Sequence, residues 1–345
     1  MTGLVTVVAT VVVFGMLILI HELGHFLMAR RAGVRVHEFA LGFGPRVLST
    51  RRGPTMYSLR AVPLGGFVRM AGMHPGEEDW AAIPARERFL DQPIGTRAAI
   101  IAAGPAMNIL LAVLLFALVF AAVGLVEPTL EVARVVPGMP AQEAGLQPGD
   151  EITAVAGQPV NSWEQLARGI QSRPGEPTEL EIRRDGSRLT ITVTPVEQSP
   201  GYGVIGIEPV MITKRTPPLQ AIGEGMVWTG RVIVSFFDGL ARMFAGQGGA
   251  DIIGPVGIGQ HIGEATRMGL ANVMLLAAVL SANLALINLL PIPALDGSRL
   301  VFLAWEWIRG RPVDPDKEGF VHFVGFALLL VLAILITYRD ILNLA

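Results

Sequence analysis

Long runs of apolar residues dominate the chain and predict helices that cross a lipid bilayer. A helix needs about 20 residues, at about 1.5 Å per residue, to cross the hydrocarbon layer. Four stretches meet this requirement: Leu4–Met28, Ala98–Val126, Leu270–Leu290 and Phe320–Tyr338. The first stretch lacks a basic leading segment and a small-residue cleavage site, so we expect it to remain in the mature chain.

A fifth apolar stretch, Met226–Phe244, carries charges that argue against a membrane crossing. Arg231, Asp238 and Arg242 lie within it, and each charge at mid-bilayer would cost about 2.5–3.5 kcal/mol. The pattern favours an amphipathic helix that lies in the outer membrane interface.

Residues 127–210 are less apolar and are interrupted by turn residues, which predicts a soluble α/β insert. A Gly-Leu-x-Pro-Gly-Asp sequence ends at Asp150, and a helical stretch follows at Trp163–Gln171. Alternating apolar and polar residues then predict strands at Glu179–Arg183 and Arg188–Val196. This arrangement resembles a bacterial, circularly permuted PDZ domain, which implies a capacity to bind peptide C-termini by strand addition. A domain that only blocks access sterically is the alternative.

Alternating patterns also flank Gly65 and Gly66, over Thr55–Val62 and Phe67–Ala71, and predict a membrane-associated β-hairpin. Its edge could hold an unwound substrate strand, or the hairpin could serve only as a membrane anchor.

The predicted fold class is therefore an α-helical polytopic membrane protein with four transmembrane helices, a membrane-associated β-hairpin and one inserted α/β PDZ-like domain. We expect four segments along the chain: the first half of a core (1–126), the insert (127–210), an interfacial helix with a membrane-associated loop at Gly254–Ile258 (211–269), and the second half of the core (270–345).

Composition and charge exclude several classes of protein. Charged residues make up 16% of the 345 residues, whereas a soluble domain carries about 25%. A net charge of −2, from 27 Lys/Arg against 29 Asp/Glu, argues against nucleic acid as a partner. The chain has no cysteine, which rules out disulfides, thiol nucleophiles and cysteine-based metal sites.

The loop charges predict an orientation in the cytoplasmic (inner) membrane. Residues 30–97 carry 11 Lys/Arg against 6 Asp/Glu, and residues 124–270 carry 11 against 16. Since basic loops stay in the cytoplasm, we expect both termini and the insert to be extracytoplasmic.

The first apolar stretch ends with a His-Glu-x-x-His motif formed by His21, Glu22 and His25. Positions i and i+4 of a helix project from one face, so both imidazoles can bind one ion. Glu22 lies beside them and can accept a proton from water, which is the arrangement of helical zinc proteases. The alternative is a polar cluster that holds membrane helices together.

Asp296 is the candidate for a third zinc ligand. It follows the third apolar stretch in a segment where Pro291 and Pro293 interrupt the helix and Gly297 permits a turn. The third stretch runs inward like the first, so Asp296 reaches the same inner membrane level as the two histidines if Met226–Phe244 does not cross. An ordinary interfacial turn is the alternative.

These motifs resemble those of the site-2 protease family, the regulated intramembrane zinc metalloproteases of the bacterial RseP/RasP type. The matching pieces cover all four apolar stretches and the first loop: His21-Glu22-x-x-His25, Gly42-Phe43-Gly44, Pro63–Met70, Ala103-Gly104-Pro105-x-x-Asn108, and Asn288-x-x-Pro291-x-Pro293-x-Leu295-Asp296-Gly297. RseP-like proteins with two PDZ domains differ from this chain, which has room for one.

The resemblance implies that His21, His25 and Asp296 bind Zn²⁺ and that Glu22 is the catalytic base. It also implies that Asn288 positions substrate or stabilises the oxyanion, and the hairpin residues Gly65 and Gly66 are expected to contact substrate. Transmembrane protein substrates and the bilayer are the implied partners, and the active site lies toward the cytoplasmic side. The substrates implied are signalling or anti-sigma-type proteins or signal-peptide remnants.

Other interpretations remain open. A non-enzymatic membrane scaffold that presents the PDZ-like insert is the main alternative, followed by a prenyl-protein protease and a metal transporter. Asn108 is expected to hold helices together, and a catalytic role is the alternative. The remaining histidines have no suitably spaced partner and are expected to be solvated or structural: His37, His74, His261 and His322.

Overall fold

The computed structural model describes residues 2–73, 82–199, 201–246 and 253–342. The chain forms two compact units, one made of Met1–Ala121 with Pro217–Ala345 and the other of Ala122–Thr216.

Nine α-helices and ten strands are present among these residues. The helices are α1 (Thr2–Arg31), α2 (Ile94–Ala122), α3 (Pro140–Glu143), α4 (Trp163–Gln171), α5 (Pro218–Phe244), α6 (Pro255–Met268), α7 (Leu270–Leu289), α8 (Asp296–Arg309) and α9 (Pro315–Leu342). The strands are β1 (Val36–Arg52), β2 (Thr55–Met70), β3 (Leu125–Val135), β4 (Glu151–Val155), β5 (Gln158–Pro159), β6 (Thr178–Arg184), β7 (Ser187–Val193), β8 (Val196–Ser199), β9 (Tyr202–Val204) and β10 (Ile207–Lys214).

Four of these helices, α1, α2, α7 and α9, are long and apolar enough to cross a membrane. The predicted fold class of a polytopic helical protein with an α/β insert is thereby confirmed. The second helix begins and ends four residues earlier than the predicted stretch, because it runs from Ile94 to Ala122 and not from Ala98 to Val126. Gly124 has a φ of 106°, which ends the helix and directs the chain into β3.

The fifth apolar stretch belongs to a longer helix than predicted, since α5 begins at Pro218. Its first half packs against α2, where a Cβ at Gly225 would lie 2.5 Å from the main-chain oxygen of Val113. Trp228 also contacts Phe116, with ring centroids 6.3 Å apart. Helix α5 is not among the four candidate spans.

The prediction of a loop at Gly254–Ile258 is wrong, because helix α6 begins at Pro255. Proline is well suited to the first position of a helix, where no amide hydrogen bond is lost. The buried Asp340 of α9 stabilises this start by accepting hydrogen bonds from the amides of Gly254 (3.3 Å) and Gly257 (2.9 Å). A side chain 86 residues away therefore fixes this helix start.

The predicted hairpin is formed by β1 and β2, which pair antiparallel, but its turn lies elsewhere. The chain reverses at Gly53, whose φ is 60°, and β2 continues through Gly65 and Gly66. The two glycines were expected to form the turn. They instead mark an irregular part of the strand, because Gly65 adopts a φ of 113° where Phe43 packs against it.

Glu38 is the buried charge of this hairpin, with 2% of its surface exposed. It accepts hydrogen bonds from Ser58 (2.7 Å), Arg60 (2.8 Å) and Arg46 (3.1 Å). Burial would raise the pKa of the Glu38 carboxyl group, but these donors lower it to about 2. The hairpin is thus stabilised by an ionised, fully hydrogen-bonded carboxylate.

The second unit is an α/β domain around a six-stranded sheet, in which five strands follow the order β10-β3-β4-β6-β7 and β5 pairs with β4. Helix α4 has the predicted bounds, and β6 extends the predicted Glu179–Arg183 by one residue at each end. Asp150, the last residue of the turn sequence, is buried and accepts a 2.7 Å hydrogen bond from Arg184. The unit is wider than the expected 127–210, because β3 and β10 pair with each other.

Replacing Glu38 with glutamine is expected to lower the free energy of unfolding by about 1.5–3 kcal/mol at pH 7, because hydrogen bonds to a charged group are lost. The pKa of this carboxyl group is about 4.3 in the unfolded chain and about 2 in the folded protein. The stabilisation is therefore present above pH about 4.3 and disappears as the pH falls toward 2. The measurement is the free energy of unfolding of wild type and Glu38→Gln in detergent across this pH range.

The control is Asp238→Asn, which removes an exposed ion pair with Arg242 on α5 and should change stability by less than about 1 kcal/mol. Equal stability of Glu38→Gln and wild type at pH 7 would contradict the assignment.

Candidate metal centre

Helix α1 carries His21 and His25 on one face, four residues apart. Both side chains are buried, with 8% exposed surface each. Their Nε2 atoms lie 3.2 Å apart, and the rings meet edge to face with centroids separated by 4.8 Å. The helical spacing thus directs two potential ligand atoms to one point.

Helix α2 crosses α1 at this point with almost no space between them. A Cβ at Gly24 would lie 2.2 Å from the main-chain oxygen of Ala103, and a Cβ at Gly104 would lie 2.3 Å from His25 Nε2. An added Cβ would displace the neighbouring helix at Gly24 and the imidazole rings at Gly104, so only glycine fits at either position. The two glycines therefore bring the helices together and leave space around the imidazole nitrogens.

Asp296 reaches the same point from the first residue of α8. Its Oδ2 atom lies 3.1 Å from His21 Nε2 and 3.4 Å from His25 Nε2. Helix α8 is held against α2 by a partly buried ion pair between Arg97 and Glu306, with hydrogen bonds of 2.6 and 3.0 Å. The structure thus brings together the three residues that were expected to bind zinc.

The outer ring nitrogens of the two histidines also have buried partners. His25 Nδ1 lies 2.9 Å from the main-chain oxygen of Ile100, so Nδ1 carries the proton and Nε2 keeps its lone pair. The amide of Asn108 lies 3.4 Å from His21 Nδ1. The Oδ1 atom of Asn108 is buried and has no hydrogen-bond partner among the described residues. If the Asn108 amide is turned so that Oδ1 faces the ring, Oδ1 accepts a hydrogen bond from Nδ1 of His21. His21 then carries its proton on Nδ1, as His25 does.

The three inner atoms suit a divalent cation. With both Nδ1 atoms protonated, two nitrogen lone pairs and a carboxylate oxygen face one another with no proton between them. The buried Asp296 Oδ2 has no hydrogen-bond partner within the described ranges. Tetrahedral zinc with ligands at about 2.0–2.1 Å requires ligand atoms roughly 3.3 Å apart, and the observed separations are 3.1–3.4 Å. Zn²⁺ therefore fits this group.

A cavity of about 490 Å³ opens beside these three side chains and is lined by Glu22, Asn288 and β2 residues 67–70. The backbone of Val68 lies within hydrogen-bonding reach of the Glu22 carboxyl group. Asn288 makes no hydrogen bond with any described residue. The cavity thus brings Glu22, the amide of Asn288 and a strand backbone to one space.

Gly65 and Gly66 lie at the margin of this cavity and do not line it. A Cβ at Gly66 would come within 3.1 Å of Glu22 Cγ, so this glycine lets β2 approach α1. Gly65 packs against the ring of Phe43.

No other described histidine joins the metal-binding group. His261 is exposed and lies 3.4 Å from Glu264, and His322 contacts the loop before α8. His74 lies outside the described residues.

Two residues of α2 contact the histidines in a way that the sequence pattern does not predict. Gly104 belongs to a motif with no expected contact, and Asn108 is expected only to hold helices together. Asn108 does join helices, since Ser281 donates a 2.8 Å hydrogen bond to its main-chain oxygen, but its side chain also orients His21. The Ala103-Gly104-Pro105 sequence indicates a close helix contact. It does not indicate which helix makes that contact.

Comparison with known proteins adds an independent line of evidence. The sequence model of peptidase family M50 matches residues 9–332. The zinc metalloprotease RasP of Geobacillus kaustophilus is 33% identical, with 97% of each chain covered. The regulator of sigma-W protease RasP of Bacillus subtilis is 31% identical, with 97% of this chain and 98% of that chain covered.

A structural comparison matches 24% of this chain to 88% of the PDZ domain of an SdrC-like protein from Listeria monocytogenes, at 22% identity. Its TM-score is 0.22, which is too low to support an argument about the fold.

Replacing Gly104 with alanine is expected to weaken zinc binding at least about tenfold, because the new methyl group would overlap His25 Nε2. Competition with a zinc chelator measures the affinity in detergent. Gly95→Ala is the matched control, since Gly95 lies on the same helix with no atom within 4 Å of an added Cβ. Wild-type affinity in Gly104→Ala would show that the close contact is not needed.

Proposed function

The chain belongs to peptidase family M50 as a zinc metalloprotease of the site-2 type, and we propose that it hydrolyses peptide bonds within transmembrane segments of other membrane proteins. Signalling or anti-sigma-type proteins and signal-peptide remnants are the proposed substrates, a class in line with the name of the Bacillus subtilis relative.

One observation carries the proposal: His21, His25 and Asp296 converge within 3.4 Å of one another, beside the Glu22 side chain. Ionisable groups are costly in an apolar environment and are normally retained there for a function. A scaffold that only presents the insert would not need such a group. A prenyl-protein protease or a metal transporter is disfavoured by membership of this peptidase family.

In the proposed mechanism His21, His25 and Asp296 hold the zinc ion. When bound, Zn²⁺ supplies Lewis-acid polarisation of a carbonyl group and lowers the pKa of water toward about 7. Glu22 accepts the proton of the attacking water and later delivers it to the leaving amine. Its place in the cavity beside the ligands supports both transfers.

Substrate binding is proposed to use the opposite walls of the same cavity. The free amide of Asn288 can donate to the carbonyl oxygen of the scissile bond as that oxygen becomes negative. An unwound substrate segment can pair with the edge of β2 along residues 67–70, which line the cavity, whereas Gly65 and Gly66 are already packed against Phe43 and Glu22. Because helical peptide bonds are enclosed by their own hydrogen bonds, the substrate helix must open before it reaches Glu22.

The protein spans the membrane several times, and its sidedness is part of the proposal. The basic excess of residues 30–97 supports a cytoplasmic position for this loop. The termini and residues 127–210 then lie on the extracytoplasmic side, and the metal ligands lie toward the cytoplasmic side. Helix α5 is proposed to follow the outer interface.

The insert at residues 127–210 is proposed to be a PDZ-like domain that restricts substrate entry. A folded domain outside the membrane can exclude substrates with bulky ectodomains. It can also bind the C-terminus exposed by an earlier cleavage, through strand addition. Neither role requires the insert to touch the reacting bond.

The Glu22→Gln variant is expected to bind zinc with wild-type affinity and to cleave at least about 10²-fold more slowly, because general base catalysis is lost. Cleavage of a reconstituted transmembrane substrate and zinc content are measured on the same preparation. Glu264→Gln, on the exposed face of α6, is the control and should cleave normally. Undiminished cleavage by Glu22→Gln would refute the role of Glu22.

Removing residues 131–209 and joining the ends with a flexible linker is expected to preserve zinc binding and cleavage of substrates with short ectodomains. The shortened protein should also cleave substrates with intact ectodomains, which the full chain rejects. Cleavage assays on paired long and short substrates provide the measurement. If the folded, zinc-loaded variant cleaves neither substrate, the insert contributes to the active site and the filter role fails.

A further inference from the structure

The loop between α7 and α8 holds Asp296 in an unusual backbone conformation. Ala294, two residues before Asp296, has a φ of 75°, a region that residues with a side chain rarely occupy. On the other side of Asp296, a Cβ at Gly297 would lie 2.2 Å from the main-chain oxygen of Leu290. The direction of the Asp296 side chain is therefore set by a tightly folded and locally unfavourable loop.

Helix α9 supports this loop at two adjacent residues. His322 Nδ1 accepts a hydrogen bond of 3.0 Å from the amide of Ala294. One helical turn later, Gly325 lies so close to the loop that a Cβ there would be 2.2 Å from the Cβ of Pro293. Helix α9 thus contacts two neighbouring loop residues: the amide of Ala294, which has the positive φ, and the side chain of Pro293.

The surroundings of His322 hold its ring in one orientation. Since Nδ1 accepts a hydrogen bond, the proton of the neutral ring resides on Nε2. That atom is directed toward Glu318, with Nε2 and Oε1 3.6 Å apart. The ring also packs against Phe302, with centroids 5.8 Å apart. The His322 side chain is 16% exposed, whereas Ala294 lies at the surface of the described residues.

We propose that His322 is a positioning residue for the zinc ligand Asp296, because its Nδ1 holds the Ala294 amide in the conformation that directs Asp296 toward His21 and His25. The inference rests on the proposed role of Asp296 as a ligand. His322 itself touches neither the three ligand atoms nor the cavity that contains Glu22. Its effect therefore passes entirely through the loop.

The test compares two substitutions of His322. His322→Phe retains the ring shape but loses the acceptor, and it is expected to weaken zinc binding about 10–100-fold, as is usual when a group that orients a ligand is removed. His322→Asn presents an oxygen close to the position of Nδ1, and its zinc affinity should lie within about threefold of wild type. Chelator competition measures affinity, and cleavage assays should show lower kcat at limiting zinc.

A second substitution separates positioning from general stability. Glycine adopts a positive φ without strain, so Ala294→Gly placed in the His322→Phe background should recover at least about threefold of the lost zinc affinity. A purely structural role of His322 would give no such recovery. His261→Phe, at an exposed histidine of α6, is the control and should bind zinc like wild type.

Asp296→Asn distinguishes failure of this inference from failure of the proposed function. If Asp296→Asn binds zinc like wild type, the ligand assignment and the inference both fail. If Asp296→Asn weakens binding but folded His322→Phe retains wild-type affinity, only the positioning role is overturned. If His322→Phe does not fold, a more than tenfold loss of zinc affinity in folded His322→Asn overturns the role.

Discussion

Burial of two imidazoles and a carboxylate among apolar helices is the constraint on which the rest of the structure depends. Polar atoms removed from water destabilise a protein unless each has a partner. Here the outer nitrogens of His21 and His25 face Asn108 and Ile100, and the inner atoms face one another and suit one cation. The close crossing of α1 and α2 at Gly24 and Gly104 follows from this need, since wider separation would leave these polar groups without partners.

Features that depend on residues near one another in sequence could be predicted. The four apolar helices follow from residue runs, and the pairing of His21 with His25 follows from helical spacing. Asp296 required a further step, because it is 271 residues from His25. Two features indicate Asp296 as the third metal ligand: it lies in a segment interrupted by prolines, and its helix end is expected at the same membrane level as the histidines.

Features fixed by distant contacts could not be predicted from the pattern. Gly65-Gly66 is a stronger turn signal than Gly53 when only sequence is considered, yet packing of Phe43 and Glu22 against these glycines keeps β2 continuous. The start of α6 depends on Asp340, 86 residues later in the chain. The contacts of Gly104 and Asn108 became evident only once α2 was seen to pack against the ligand face of α1. Composition and periodicity carry no information about such pairs.

The pairing of β3 with β10 has a consequence for the evolution of the chain. Leu125 lies opposite Lys214 and Val126 opposite Thr213, so the second unit begins and ends at neighbouring positions of one sheet. A unit whose ends are adjacent can be enlarged, duplicated or exchanged in a gene without pulling apart the segments that flank it. Natural selection can therefore change this unit while the three residues that suit a metal ion remain the same.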